Sequence, residues 1–274
     1  MSVTITAADI NKLRQATGAG MMDCRKALTE SNGDFEAAID WLRKQGQKVA
    51  AKRSDRDAKE GVIIAKPTAD NKAGIVICIS CETDFVSKNA DFVAFAQSIA
   101  DAAVANNVKS VEELNNVEIN GAKVSDMIND KLAAIGEKIE ISKFERVEAP
   151  YVASYIHGAN RMGVLVGLTV AAEEAGKDVA MQIAAMNPLA VDETSIPADV
   201  IAREKEIAIE MVKAEGKPAE MAEKIAMGKL NKFFKDNTLL AQAFVKDGNK
   251  SVADYLKSVN ADLKVTEFKR VALG

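Results

Sequence analysis

Two runs rich in β-branched residues, 61–66 and 74–79, limit the possible folds of this chain more than any other part of its sequence. The seven residues between them include a proline, an aspartate and an asparagine, which are typical of turns. The pair therefore predicts an antiparallel hairpin. Because the second run is almost wholly apolar, its strand is expected to be buried. A helical pattern begins near Ala90, so a polar loop that includes Cys81 should connect the strand to a helix.

The residues after this hairpin predict the rest of an α+β unit. A helix with one apolar face begins near Ala90, a second amphipathic helix covers 123–135, and a strand pattern returns at 140–147. Strands with helices packed on one face form an α+β arrangement. We therefore expect residues 61–148 to form the first half of an α+β core.

The same layout recurs in residues 149–274, which are expected to form a second, related half. Strand patterns at 151–157 and 163–171 flank a short turn, and a helix is predicted over 177–186. Two long helical patterns at about 197–235, with a turn at Gly216-Lys217-Pro218, predict an antiparallel helical hairpin. A short helix and a final strand complete this half.

Residues 1–46 predict a separate small bundle of three short helices. The turns Gly18-Ala19-Gly20 and Asn32-Gly33-Asp34 separate the helices. A bundle of this size is marginally stable alone, so it is expected to lean on or bind something. Residues 47–60 are polar and basic without apolar periodicity, which favours a solvated linker. An RNA-binding arm is the less favoured alternative for this stretch.

Composition excludes several classes of function. The net charge of −4 and the low aromatic content of 5% argue against a direct nucleic-acid partner. No apolar run is long enough to span a membrane, and the N-terminus has no basic-then-apolar signal pattern. These observations favour a cytoplasmic protein.

The stretch Cys78-Ile79-Ser80-Cys81 matches the C-x-x-C pattern of redox and zinc sites. On a strand, however, two residues three positions apart point to opposite faces. The chain has only one other cysteine, Cys24, and one histidine, His157. We therefore expect no metal ion and no cofactor.

Two stretches are candidates for a binding surface. From the local pattern alone, two interpretations of Asp84 and Phe85 are equally supported. In the first, Asp84 is a helix N-cap and Phe85 is a core residue. In the second, both residues have a binding function. Met21 and Met22 are neighbours on a predicted helix and cannot both face inward, because adjacent residues are about 100° apart. An exposed methionine suits an adaptable protein-binding surface. The alternative is a half-buried pair within the chain.

Three motifs resemble those of the bacterial elongation factor Ts family. They are LRQATGAGMMDCRKAL at 13–28, Thr83-Asp84-Phe85-Val86, and HGANRMGVLV at 157–166. Their order and spacing also fit, and the resemblance runs from residue 3 to about 272. It implies a nucleotide-exchange factor that binds the GTPase elongation factor Tu in its GDP-bound form, displaces Mg²⁺ and lets GTP replace GDP. Such a factor makes no covalent change and is not an enzyme.

The resemblance also implies an N-terminal bundle of ubiquitin-associated (UBA-like) shape and a coiled-coil-like arm. A higher assembly with elongation factor Tu is compatible with it. It assigns the exchange motif to Thr83, Asp84, Phe85 and Val86. It assigns partner contacts to Arg14, Met21, Met22, His157 and the stretch Ile135-Gly136-Glu137. A structural hydrogen-bonding role is the alternative for His157.

The chain departs from the family pattern in two places. Longer members continue past the last strand with a helix that helps to grip the GTPase, whereas this sequence stops at Gly274, so that contact is expected to be missing. Ala243 stands where a proline is frequent. Two other classes of function compete with exchange: a non-catalytic adaptor or chaperone-like binding module, and an enzyme that uses the cysteines or His157. No nucleotide-binding glycine loop or nucleophile motif supports the enzyme.

Overall fold

The computed structural model describes residues 4–53, 55–216 and 219–274 as a mixed α+β fold. The helices are α1 (Ala7–Thr17), α2 (Met21–Glu30), α3 (Phe35–Arg53), α4 (Asp84–Ser87), α5 (Ala90–Ala105), α6 (Val111–Asn116), α7 (Val124–Ile135), α8 (Glu173–Met186), α9 (Ala198–Ala214), α10 (Ala219–Asn237) and α11 (Val252–Val259). The strands are β1 (Glu60–Pro67), β2 (Ala73–Cys81), β3 (Glu118–Ile119), β4 (Ala122–Lys123), β5 (Glu140–Glu148), β6 (Tyr151–His157), β7 (Met162–Leu168), β8 (Ala243–Phe244), β9 (Asp247–Ser251) and β10 (Val265–Ala272).

The first sheet has the strand order β1-β2-β5, and the predicted hairpin of β1 and β2 is confirmed. Every residue of β2 is buried, because the strand is central and both faces of the sheet are covered. On one face, Ile77 and Ile79 pack against α5 and α7, the two helices that the apolar periodicity predicts. On the other face, Val76 and Cys78 pack against a second sheet.

The second sheet has the order β10-β7-β6 and is again antiparallel. Its outer face is covered by α8 and α11 through residues such as Val179 and Leu256. Both halves therefore have the same order of elements. A hairpin is followed by a helix, and a third strand then pairs with the second strand of the hairpin. The predicted strand over 163–171 ends earlier, at Leu168, and the predicted helix over 177–186 begins earlier, at Glu173.

The two sheets stack face to face with glycines at their contact. A Cβ atom on Gly163 would lie 2.8 Å from a methyl of Ile63 and 2.9 Å from a methyl of Val76. A Cβ atom on Gly74 would lie 2.9 Å from a methyl of Val152. Real Cβ contacts are longer than this, so the absence of side chains at these positions allows the close approach.

The N-terminal helices α1, α2 and α3 pack around Leu13, Leu28 and Ala38. The prediction that residues 47–60 form a solvated linker is wrong for the first seven of them, because α3 continues through Arg53. Two contacts stabilise this extension. Val49 packs against the core of the first half, and Arg53 binds Glu82. Apolar periodicity did not predict these last turns of α3, because they contain few apolar residues.

Helices α9 and α10 pack along each other through buried apolar residues that include Ala208 and Leu230. The Lys229 ammonium lies 3.0 Å from the Glu215 carboxylate near the end of α9. Of the predicted turn, Lys217 and Pro218 lie outside the described residues. In the described part of the chain, no helix is both long enough and apolar enough to cross a membrane.

Candidate protein-binding site

Phe85 lies on α4, the single helical turn between β2 and α5, and 86% of it is exposed to solvent. Its interpretation as a core residue is therefore wrong. Phe92, seven residues later on α5, is 2% exposed and fills the core position instead. An exposed aromatic side chain on a short helix is uncommon in an otherwise well-packed protein and indicates a contact surface.

The local sequence explains why the chain turns sharply here. Asn89 caps α5, because its side-chain oxygen accepts hydrogen bonds from the backbone N–H groups of Asp91 and Phe92. The local pattern allows Asp84 to be the cap of the long helix, but Asn89 takes that position. Asp84 is the first residue of α4, and Lys88 Nζ donates a 2.6 Å hydrogen bond to its carboxylate. This hydrogen bond and the Lys88 charge hold the pKa of Asp84 below its ordinary value.

Two carboxylates anchor the loop in front of α4. Glu137 accepts hydrogen bonds from the backbone N–H groups of Glu82 and Thr83, at 3.1 and 3.0 Å, and from the Thr83 hydroxyl at 2.7 Å. In return, Glu82 accepts a 2.7 Å hydrogen bond from the backbone N–H of Lys138. The family resemblance places Glu137 in a contact stretch, but local sequence gives no signal of this anchoring role, because the partners of Glu137 are more than 50 residues away.

Two arginines pair with the other side of this loop. The Arg53 and Arg56 guanidiniums lie 2.7 and 3.2 Å from the Glu82 carboxylate, whose side chain is only 15% exposed. The backbone N–H of Lys138 lowers the pKa of Glu82 below its ordinary 4.5, and the two arginines reinforce the effect against the opposing influence of burial. Glu82 is therefore ionised at neutral pH.

This lowered pKa predicts how Glu82 contributes to stability. A carboxylate whose pKa is lower in the folded state stabilises that state fully above its unfolded pKa, near 4.5, and loses the effect as pH falls through its folded pKa. Glu82→Gln should therefore lower the free energy of unfolding at pH 7, and the difference from the wild type should shrink between about pH 5 and pH 3. Urea titrations across this range measure both values. A difference that stays constant down to pH 3 would contradict the prediction.

A groove of about 570 Å³ lies beside Phe85 and brings several predicted residues together. Phe85 and Val86 form part of its lining, together with Ile135 at the end of α7 and Gly18 at the end of α1. Gly136 ends α7 in the left-handed region, with φ +78°. The groove is therefore lined both by the N-terminal helices and by the first half of the core.

The remaining predicted contact residues on the N-terminal helices are exposed. Met21 is 53% exposed and Met22 is 71% exposed, so the alternative of a half-buried pair within the chain does not describe them. Arg14, on α1, is also exposed. All three flank the turn that begins at Gly18, which lines the groove.

His157 is exposed at the end of β6, outside the groove. The Tyr155 hydroxyl and His157 Nδ1 are 3.1 Å apart, within hydrogen-bond distance. An ion pair between Arg161 and Glu60, at 2.8 Å, fixes the following turn against the start of β1. Because Glu60 is opposite Cys81 in the hairpin, this turn and the Phe85 loop are at the same end of the stacked sheets.

The cysteines are buried within the core. Cys78 faces the contact between the sheets, whereas Cys81 faces the helices of the first half, so the prediction of opposite faces is confirmed. Burial raises the pKa of Cys81 to about 12. Within the described ranges, no group of three or more histidine, cysteine and acidic side chains is placed to hold a metal ion.

An exposed aromatic residue on an anchored loop beside a groove is the geometry of a protein-interaction factor. Residues 82–274 match the family model described as Elongation factor TS. The chain belongs to the elongation factor Ts family.

Its relatives match it along almost the whole chain. Elongation factor Ts of Christiangramia forsetii is 54% identical over 273 residues, which are 98% of this chain and 99% of that relative. The protein of that name from Flavobacterium psychrophilum is 54% identical over 274 residues, or 99% of each chain. The one from Methylococcus capsulatus is 46% identical over 275 residues, covering 99% of this chain and 93% of the relative.

Proposed function

We propose that this chain is the nucleotide-exchange factor of elongation factor Tu and that Phe85 is the residue that opens the nucleotide site. It binds the GDP-bound GTPase in the cytoplasm and accelerates release of GDP, so that GTP can enter. The observation that carries the assignment to Phe85 is its exposure, 86%, on a loop that is itself anchored. No covalent step is involved, and no cofactor or nucleic acid is needed.

The physical basis of exchange is a distortion of the partner. A translational GTPase holds its nucleotide with a loop around the phosphates and a bound Mg²⁺. A rigid aromatic ring gains a large free energy when it enters an apolar pocket of a partner. Phe85 enters such a pocket near the nucleotide site, and the binding energy offsets the cost of displacing the loop and Mg²⁺. Thr83 and Val86 shape the turn that presents the ring.

Asp84 supplies a negative charge beside the wedge. Its ion pair with Lys88 is exposed, with 45% of the Asp84 side chain and 70% of the Lys88 side chain accessible. Exposed pairs of this kind contribute little to stability. The Asp84 carboxylate can therefore exchange Lys88 for donors on the partner at small cost, and its charge disfavours a bound phosphate nearby.

Further contacts hold the partner while the wedge acts. Arg14, Met21 and Met22 grip a helix of the GTPase domain, since flexible methionine side chains adapt to a partner surface. Ile135 and Gly136 extend this contact, and His157 touches another domain of the partner. A higher assembly of the two proteins is compatible with these contacts.

The parts of the chain have separate roles on this proposal. Residues 1–46 form a UBA-like binding module, 61–148 carry the wedge, and 149–274 carry the second contact. Helices α9 and α10, at about 197–235, form a coiled-coil-like arm of the second half.

Release of the partner follows from linkage. If the factor weakens GDP binding, GDP weakens binding of the factor by the same ratio. The nucleotide that enters the empty site therefore displaces the factor, which then acts on another GTPase molecule.

The direct test is stopped-flow release of a fluorescent GDP analogue from elongation factor Tu, with and without the chain. Acceleration that saturates with the concentration of the chain would support exchange. Binding without acceleration would refute the proposal and favour an adaptor.

Asp84→Ala should reduce the saturated release rate by about 10-fold, equivalent to about 1.4 kcal/mol of lost stabilisation of the open partner. The matched control is Asp70→Ala. Asp70 is another exposed aspartate with a hydrogen bond to a neighbouring side chain, Thr68, but it lies in the turn at the opposite end of the β1–β2 hairpin. Equal rates for the two variants would remove Asp84 from the mechanism.

A further inference from the structure

The loop that presents Phe85 is held by two glutamates that bind each other's backbone segments. Glu137, just after α7, accepts hydrogen bonds from the N–H groups of Glu82 and Thr83. Glu82, just after β2, accepts one from the N–H of Lys138. The arrangement is reciprocal, so the end of β2 and the start of β5 cannot separate without breaking charge-assisted hydrogen bonds, which are the strong kind.

Glu137 binds three hydrogen-bond donors at the entrance to α4. Its carboxylate takes both successive backbone N–H groups and also the Thr83 hydroxyl, at 2.7 Å. Thr83 is the residue immediately before α4, and its own side chain does not cap that helix. Glu137 therefore fixes the backbone and side chain of Thr83, and with them the direction in which α4 and Phe85 leave the sheet.

Glu82 extends this anchoring to the N-terminal helices. It pairs with Arg53, the last residue of α3, and with Arg56. Helix α3 packs against α2, which begins with the exposed Met21 and Met22. The Glu82 carboxylate thus connects the surface that carries Phe85 to the surface that carries Met21 and Met22.

We propose that Glu82 and Glu137 are positioning residues for nucleotide exchange: they hold the Phe85 loop in the conformation that enters the partner. This inference rests on the proposed function of Phe85 as a wedge. A loop that is already ordered does not lose conformational entropy on binding, so more of the contact energy is available to open the partner. Neither glutamate needs to touch the partner for this effect.

The decisive variant is Glu137→Ala in the full chain, with Glu137→Gln as the milder substitution. Glutamine can keep the oxygen that accepts from both backbone N–H groups and place its amide NH2 opposite the Thr83 hydroxyl, which can rotate to accept. We expect Glu137→Ala to lower the saturated rate of GDP release from elongation factor Tu by about 10- to 100-fold, and Glu137→Gln to lower it less. Amide hydrogen exchange of residues 82–88 should become faster in both variants without the partner present.

A double-mutant cycle separates positioning from general damage. If Glu137 acts through the Phe85 loop, adding Glu137→Ala to the variant that already carries Asp84→Ala and Phe85→Ala should leave the reduced rate unchanged within about 2-fold. Effects that multiply would overturn the proposal. The matched control is Asp178→Asn, because Asp178 is 16% exposed and pairs with Lys246 in the second half. This control should exchange nucleotide at the wild-type rate.

The outcomes distinguish the two hypotheses. No acceleration by the wild-type chain would refute the proposed function. Normal acceleration by the wild type together with an unchanged rate for both Glu137 variants would refute the positioning role alone. Faster hydrogen exchange of the loop without a slower release rate would also overturn it.

Discussion

Alanine in place of Phe85 is expected to slow saturated GDP release from elongation factor Tu by about 30- to 700-fold. The range corresponds to about 2–4 kcal/mol, the usual contribution of a central interface residue, at tenfold per 1.4 kcal/mol. The ring has 86% of its surface in water, so its removal creates no cavity in the free protein. The free energy of unfolding should therefore change by less than about 0.5 kcal/mol.

A matched control exists on the other half of the core. Leu189 is also a large apolar residue, with 57% of its surface exposed, and Leu189→Ala should leave the release rate unchanged. Both rates are measured at saturating concentrations of the chain, so that weaker binding is not mistaken for slower opening. A double variant of Asp84 and Phe85 that still releases GDP at the wild-type rate would exclude the wedge.

Phe92→Ala is expected to lower the free energy of unfolding by about 3–5 kcal/mol, which is the usual cost of truncating a buried phenylalanine. Phe92 is 2% exposed and packs in the cluster between the first sheet and α5, with its ring 6.2 Å from that of Phe95. Alanine would lose the transfer free energy of the ring and leave a cavity that the surrounding strands cannot fill. A decrease of this size is a large part of the total stability of an ordinary domain.

Urea denaturation measures this effect, with the midpoint expected to fall while the slope stays the same. Phe92→Leu is the graded variant and should lose much less, because it keeps most of the apolar volume. Phe85→Ala is the matched aromatic substitution seven positions away, for which no loss is expected. Equal stabilities for the two alanine variants would mean that the burial of Phe92 does not contribute as its packing indicates.

Apolar periodicity predicted many of the helices and strands, because these elements depend on the spacing of residues that are close in sequence. The hairpin, its buried second strand and the opposite faces of Cys78 and Cys81 follow from the two-residue repeat of a strand. The exposure of Phe85 could not be found in this way, since the frequencies of phenylalanine favour the core. Only the resemblance to a family pointed to it as a contact residue.

Other features escaped prediction because they depend on tertiary contacts. The last turns of α3 have few apolar residues, and the contact of Val49 with the core and the pair of Arg53 with Glu82 help to stabilise them as helix. The anchoring of the loop by Glu137 joins residues 54 and 55 positions apart. A single sequence contains no signal that relates such distant positions.

The glycine contacts between the stacked sheets fix the distance between the two sheets and their alignment. Sliding of one sheet over the other would drive the methyls of Ile63 and Val76 into the backbone at Gly163. The separation between the Phe85 loop on one half and His157 on the other is therefore set by the stacking, not by the partner. On the proposed function, a partner whose shape differs between its nucleotide states would fit this fixed separation of contact residues in only one of those states.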